Sequence, residues 1–151
     1  MTAIPKSVID GAQLAQRKWG IPASVSIAQF ALESAWGTRM PKGSNNPFGI
    51  KARDGQPYSL ARTREVIHGK EVYIQAKFRK FATFTEAFDE HGRLVGSRPQ
   101  YARAMKIWAD THNVELFVKA LAPVYATDPK YAQLIMSIIK GRNLTQYDEV
   151  K

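Results

Sequence analysis

The chain has 151 residues and no cysteine, and its 22 Lys+Arg against 13 Asp+Glu give a formal net charge of +9. That length fits one domain burying roughly 68–70% of its unfolded surface without a staple, and the missing cysteines exclude a disulfide framework and thiolate metal sites. The positive balance points to a polyanionic partner: nucleic acid, an anionic membrane surface or an acidic cell-wall polymer.

Residues 5–19 read as a helix. Pro5 suits a first helical position, Val8, Ala12, Ala15 and Trp19 recur at helical spacing, and Gly20 is the stop. Residues 1–9 show neither an apolar h-region nor a small-residue cleavage site, so no signal peptide is expected. No run approaches about 18 apolar residues, so no membrane span or stable membrane insertion is expected. A second helix is expected from Pro22, with Ser24 near its start, to Trp36 before Gly37. Val25, Ile27, Phe30, Leu32 and Trp36 cover most of its circumference, the pattern of a central, buried helix. One narrow stripe is polar: Ser26, Gln29 and Glu33, spaced by three and four, share a face.

Residues 40–55 are rich in Gly, Pro and Asn and read as a structured loop. The period then changes. Val72, Ile74, Ala76 and Phe78 alternate with Tyr73, Gln75, Lys77 and Arg79, a half-buried strand. Residues 64–67 form its expected partner, with His68-Gly69-Lys70 as the turn. Helical spacing returns at Thr83, where Glu86 completes a capping box opening a helix through Val95. Arg98-Pro99 breaks it, and a short helix follows over 101–109. Asn113 caps a segment through Phe117 and Leu121, and Asp128-Pro129 starts a helix over 131–140 with Gly141 as its stop. Residues 145–151 read as a loose polar tail. The expectation is one α+β domain over 1–144, mostly helical, with a small β-lobe hairpin after the second helix.

Glu33 is the sharpest chemical signal. A carboxylate beside Ala31, Leu32, Ala35 and Trp36 is costly to ionise if unpaired. Desolvation raises its pKa, the condition a general acid needs near neutral pH. The alternative is a structural glutamate paired with an arginine or capping a buried loop. Cleaving a glycosidic bond usually takes a second carboxylate; Glu65, at the opening of the β-lobe, is the choice, with Glu71, Glu86, Asp54 and Asp89 as rivals. Gln29, Asn45, Asn46, Phe48 and Lys51 are candidate substrate contacts, because amides both donate and accept and a ring stacks on a sugar face. Phe48 is equally readable as buried in a tight turn, and Tyr125 as a cleft phenol or a packing residue. His68, His91 and His112 show no metal-ligand spacing. No nucleophile-elbow, HExxH or phosphate-loop motif is present, so an amidase or metallopeptidase is not expected. No cofactor is expected either. The basic residues form no block and accompany no recognition helix or RNA platform, so nucleic acid is not the expected partner.

The stretch Ala28-Gln29-Phe30-Ala31-Leu32-Glu33-Ser34-Ala35-Trp36-Gly37 resembles the catalytic helix of glycoside hydrolase family 73, the bacterial endo-β-N-acetylglucosaminidases. The resemblance continues through Asn45-Asn46-Pro47-Phe48-Gly49-Ile50-Lys51, where the family more often has an aliphatic residue at Pro47. It extends to Thr63-Arg64-Glu65, Ala76-Lys77-Phe78-Arg79-Lys80-Phe81, Arg98-Pro99-Gln100-Tyr101 and Tyr125-Ala126-Thr127-Asp128-Pro129, in the family's order. It implies a lysozyme-like fold and cleavage of the β-1,4 bond after N-acetylglucosamine in peptidoglycan strands. Glu33 then matches the general acid, Glu65 the second glutamate and Tyr125 the tyrosine ahead of the Ala-Thr-Asp-Pro turn. Glu65 either activates water or, with Tyr125, positions the substrate's acetamido group for attack. The alternatives are a lytic transglycosylase or muramidase of the same fold, and a non-catalytic wall-glycan-binding module. The implied setting is the bacterial cell wall, reached through a membrane pore or an export partner, with the domain acting as a monomer.

Overall fold

Two prolines set the start of the first two helices. In the computed structural model, which describes residues 3–149, Pro5 and Pro22 take extended backbone angles just outside α1 (Lys6–Trp19) and α2 (Ala23–Ser34). Neither needs the N–H it lacks at that point. Residues 1, 2, 150 and 151 lie outside the described residues, and with them parts of the leader and tail expectations. Every residue from Ala23 to Ala31 is buried, so α2 runs through the centre as its composition required. α1 and α6 (Tyr131–Gly141) pack against it, and α3 (Phe84–Ser97) lies along α1. That last approach is close. A Cβ on Gly96 would stand 2.9 Å from the Trp19 carbonyl oxygen, so only glycine lets the helices meet there.

The end of α2 departs from expectation. The helix stops at Ser34, not Trp36, and Ala35, Trp36 and Gly37 follow in the left-handed region with φ of 49°, 58° and 84°. Gly37 alone is suited to that region. The other two are held there by their contacts. The Ser34 hydroxyl donates to the Phe30 carbonyl and accepts from the Gly37 N–H. The Trp36 ring stands edge-on to Phe30, with the Arg142 guanidinium 4.4 Å from its centroid.

β1 (Tyr58–Ile67) and β2 (Lys70–Arg79) form a two-stranded antiparallel hairpin with Glu65 opposite Val72 and Ala61 opposite Ala76. His68 and Gly69 both have positive φ, the two-residue turn that matches strand twist. β1 begins six residues before the expected start, because its lower half carries small, weakly patterned residues (Ser59, Ala61, Thr63) and takes its conformation from pairing with β2. The inner face is less covered than expected: Phe78 is buried, whereas Ile74 is 39% exposed. Ala61, Thr63 and Phe78 of that face border an open cleft.

Beyond the hairpin, the Thr83 hydroxyl accepts from the Glu86 N–H to open α3. α4 (Ala102–Thr111) follows, and Asn113 caps α5 (Val114–Tyr125). The Ala126-Thr127-Asp128-Pro129-Lys130 turn then leads directly into α6. Residues 145–149 are not a loose tail. A short helical turn over Leu144–Tyr147 leads to Asp148, whose carboxylate accepts from the Ser24 N–H and hydroxyl at the start of α2. Gln13 and Gln16 donate to the backbone carbonyls of Tyr147 and Glu149. Polar composition hid this docking, because the tail is held by hydrogen bonds and not by an apolar stripe. No helix among the described residues is long and apolar enough to cross a membrane.

Candidate active site

Glu33 lies in the last turn of α2, at a cavity of about 350 Å³ between the helical body and the hairpin. Asn46 and Pro47 form part of the wall on one side, and Ala61 and Thr63 of β1 on the other. The turn joining α5 to α6 places the last residue of one helix beside the first of the next. Tyr125 and Tyr131 therefore stack, with ring centroids 5.6 Å apart. Both hydroxyls reach the acid: Tyr125 Oη stands 3.3 Å from Glu33 Oε2, and Tyr131 Oη 3.3 Å from Oε1.

These contacts are long for O–H···O hydrogen bonds. Surrounding protein strips water from the carboxyl and pushes its pKa up to about 8, with the Tyr131 and Tyr125 hydroxyls pulling it down less strongly. Glu33 remains exposed to the cleft, so water reaches it from that side and limits the rise. No basic residue occupies the last turn of α2, so the negative end of the helix also opposes ionisation. Burial and the neighbouring Glu33 hold both tyrosines well above their ordinary pKa, and they stay hydroxyl donors. Behind them His91 is fully buried, stacked on Phe48 and edge-on to Tyr125. Burial pulls its pKa down to about 3, so it is neutral.

On the hairpin, residues 59, 61, 63 and 65 share the inner face by strand alternation. Ala61 and Thr63 line the cavity with Glu33, so Glu65 is the next side chain along that face towards the tip. Lys51 Nζ donates to Glu65 Oε1 at 2.8 Å. The hairpin is tied to the body by Arg79, which pairs with Glu90 of α3, itself paired with Arg93.

The expected sugar contacts are mostly occupied by the protein itself. Asn46 uses its whole amide: Oδ1 accepts from the Phe48 and Ile50 N–H groups, and Nδ2 donates to the carbonyls of Ile50 and Arg79. Asn45 donates to the Phe81 and Ala82 carbonyls. Phe48 takes the buried alternative, 8% exposed against His91 and Phe88, so it presents no face for stacking on a sugar. Gln29 is fully buried under Tyr131, away from solvent, and Lys51 is engaged with Glu65. Sequence reasoning passed over Tyr131. Its position at the head of an amphipathic helix accounts for an aromatic on packing grounds alone, and only the six-residue spacing from Tyr125 across a tight turn signalled more. A second groove, about 560 Å³, lies between the end of α1, α4 and Glu149, but the one carboxylate lining it is tied to Arg17. Among the described residues no three His, Asp or Glu side chains converge as a metal site.

A family model described as mannosyl-glycoprotein endo-beta-N-acetylglucosaminidase matches residues 9–144. The exo-glucosaminidase LytG of Bacillus subtilis is 37% identical over 142 residues, covering 92% of this chain and 50% of that protein. The peptidoglycan hydrolase FlgJ of Vibrio cholerae is 37% identical over 134 residues, covering 84% of this chain and 39% of that one. The chain thus spans half or less of the length of these relatives. In structure it is similar to the catalytic domain of the autolysin Auto from Listeria monocytogenes, with a TM-score of 0.82 at 28% identity over 98% of this chain and 91% of that one. The fold is the lysozyme-like helical body with a β-lobe that the sequence implied. The chain belongs to the glucosaminidase family, glycoside hydrolase family 73.

Proposed function

We propose that this domain hydrolyses the β-1,4 bond that follows N-acetylglucosamine in peptidoglycan strands, with Glu33 as general acid and Glu65 as the second carboxylate. The observation that carries the reading is Glu33 itself, a carboxyl with its pKa pushed up to about 8, at a cleft walled on the far side by the face that bears Glu65. At neutral pH Glu33 keeps its proton and delivers it to the leaving sugar oxygen. The new carboxylate is then met by the Tyr125 and Tyr131 hydroxyls. Lys51 occupies Oε1 of Glu65 and leaves Oε2 to accept from a water, or from the N–H of an acetamido group attacking the anomeric carbon.

Digestion of purified peptidoglycan followed by mass spectrometry tests bond and chemistry together. The expected products carry reducing N-acetylglucosamine ends and are absent with Glu33→Gln. Anhydro-muramic or reducing muramic ends would overturn the bond assignment, and lysis by Glu33→Gln near the wild-type rate would overturn the acid. The anomer first formed separates the two roles of Glu65: inversion means water activated by Glu65, retention means attack by the acetamido group.

A further inference from the structure

Gln29 precedes Glu33 by four residues on α2, so the two share a face one turn apart. Nothing from the cleft reaches it, since its exposure is 0%. Its Nε2 donates to Tyr131 Oη at 3.1 Å, and that hydroxyl in turn lies 3.3 Å from Glu33 Oε1. A phenol has one proton to donate. With the amide N–H held against one acceptor position of Oη, the phenolic proton is left to point at Glu33. The other end of the amide, Oε1, has no hydrogen-bond partner among the described residues. A half-satisfied buried amide is costly, and an apolar side chain of the same length would suit this core better. What the glutamine supplies that an apolar residue cannot is the donor to Tyr131. Beside the Tyr125 ring lie His91, Tyr101 and Tyr131, and among the described residues its hydroxyl meets only Glu33.

We propose that Gln29 is a positioning residue that fixes the Tyr131 hydroxyl towards Glu33, so the carboxylate left by proton transfer meets a donor already aimed at it. This rests on reading Glu33 as the general acid. The titratable or charged groups facing Glu33 are Tyr125 from α5, Tyr131 from α6, Arg39 and Arg62 in the cavity wall, and, on the hairpin face across the cleft, Glu65 with its partner Lys51. Burial holds both tyrosines well above their ordinary pKa, so they keep their protons where Glu33 titrates. The alkaline limb of activity therefore follows Glu33.

The test compares Gln29→Met, Tyr131→Phe and the double variant on soluble glycan fragments across pH. Without the aimed donor the Glu33 anion is less stable, so the alkaline limb of kcat/KM should move to higher pH in both single variants. The kcat at the optimum should fall about tenfold, the rate equivalent of one hydrogen bond to a charged group, with KM unchanged. The double variant should lose no more than Tyr131→Phe alone, because both remove one interaction. An unmoved alkaline limb, or losses that multiply in the double variant, would overturn the proposal. Should Gln29→Met fail to fold, Tyr131→Phe alone still decides: an unmoved limb there leaves Gln29 nothing to act through. A Glu33→Gln variant run alongside separates the two readings. Lysis there near the wild-type rate refutes the acid itself; an inactive Glu33→Gln beside an unmoved Gln29→Met limb refutes only the positioning role.

Discussion

At the residue scale, the burial that raises the Glu33 pKa also ties stability to pH. Its ordinary pKa of 4.5 rises to about 8 in the fold, so between those values the native state holds a proton that the unfolded chain has released. Stability then falls as pH rises through that window, and the contribution is complete only below about 4.5. Glu33→Gln, which cannot ionise, should melt higher than wild type at pH 8 and close to it at pH 4.5. Thermal melts at the two values check this, and a difference that grows towards acid would contradict it. Glu33 was legible in the sequence because a lone carboxylate in an apolar helix has few explanations. Gln29 was legible as part of the same stripe, but its contact with Tyr131 was not, since spacing gives the face of a helix and not what covers it. Phe48 shows the same limit: its loop was readable, whereas the stacking on His91 required a partner 43 positions away in the chain.

At the element scale, the end of α2 is where local preference gives way to tertiary packing. Ala35 in the left-handed region costs about 1 kcal/mol relative to glycine, and Trp36 beside it is less suited still. Strain of this kind persists where surrounding contacts over-determine it, and the residue it follows by two is Glu33. Ala35→Gly should therefore stabilise the fold by about 0.5–1 kcal/mol, read as a higher denaturant midpoint with unchanged slope. Destabilisation would mean that the Ala35 methyl packs more than it strains. The sequence pattern ran the helix on to Gly37 because nothing local marks Ala35 or Trp36 as left-handed. The hairpin was half legible for a related reason: β2 alternates strongly, whereas the lower half of β1 is recruited by its partner.

At the scale of the whole molecule, the chain's last described turn closes its first two helices. Pro22 offers α2 no capping side chain, and Asp148, 124 residues beyond the Ser24 N–H it accepts from, takes that place. A carboxylate at a helix N-terminus satisfies an orphan donor and opposes the positive end of the dipole. Asp148→Ala should cost about 1 kcal/mol and Asp148→Asn less; chemical denaturation of the three proteins would show the order. Equal losses for both would assign the effect to charge alone. The order of the helices was readable from periodicity, but this closure was not, because one aspartate in a polar tail has no pattern. The hairpin carries a different consequence. Among the described residues the ten of β1 have no strand on their outer edge, and its Leu60 and Val66 are more than half exposed. An open edge of that length invites pairing with another chain unless charge keeps it apart. Arg62 stands on that strand, with Arg64 paired to Glu71 beside it, within a protein of net charge +9. Molecules should therefore stay dispersed in dilute buffer and self-associate near 1 M salt, where the screening length shrinks to about 3 Å. Light scattering across a salt series would show it. The positive balance that points to a polyanionic partner would then also hold copies of the molecule apart.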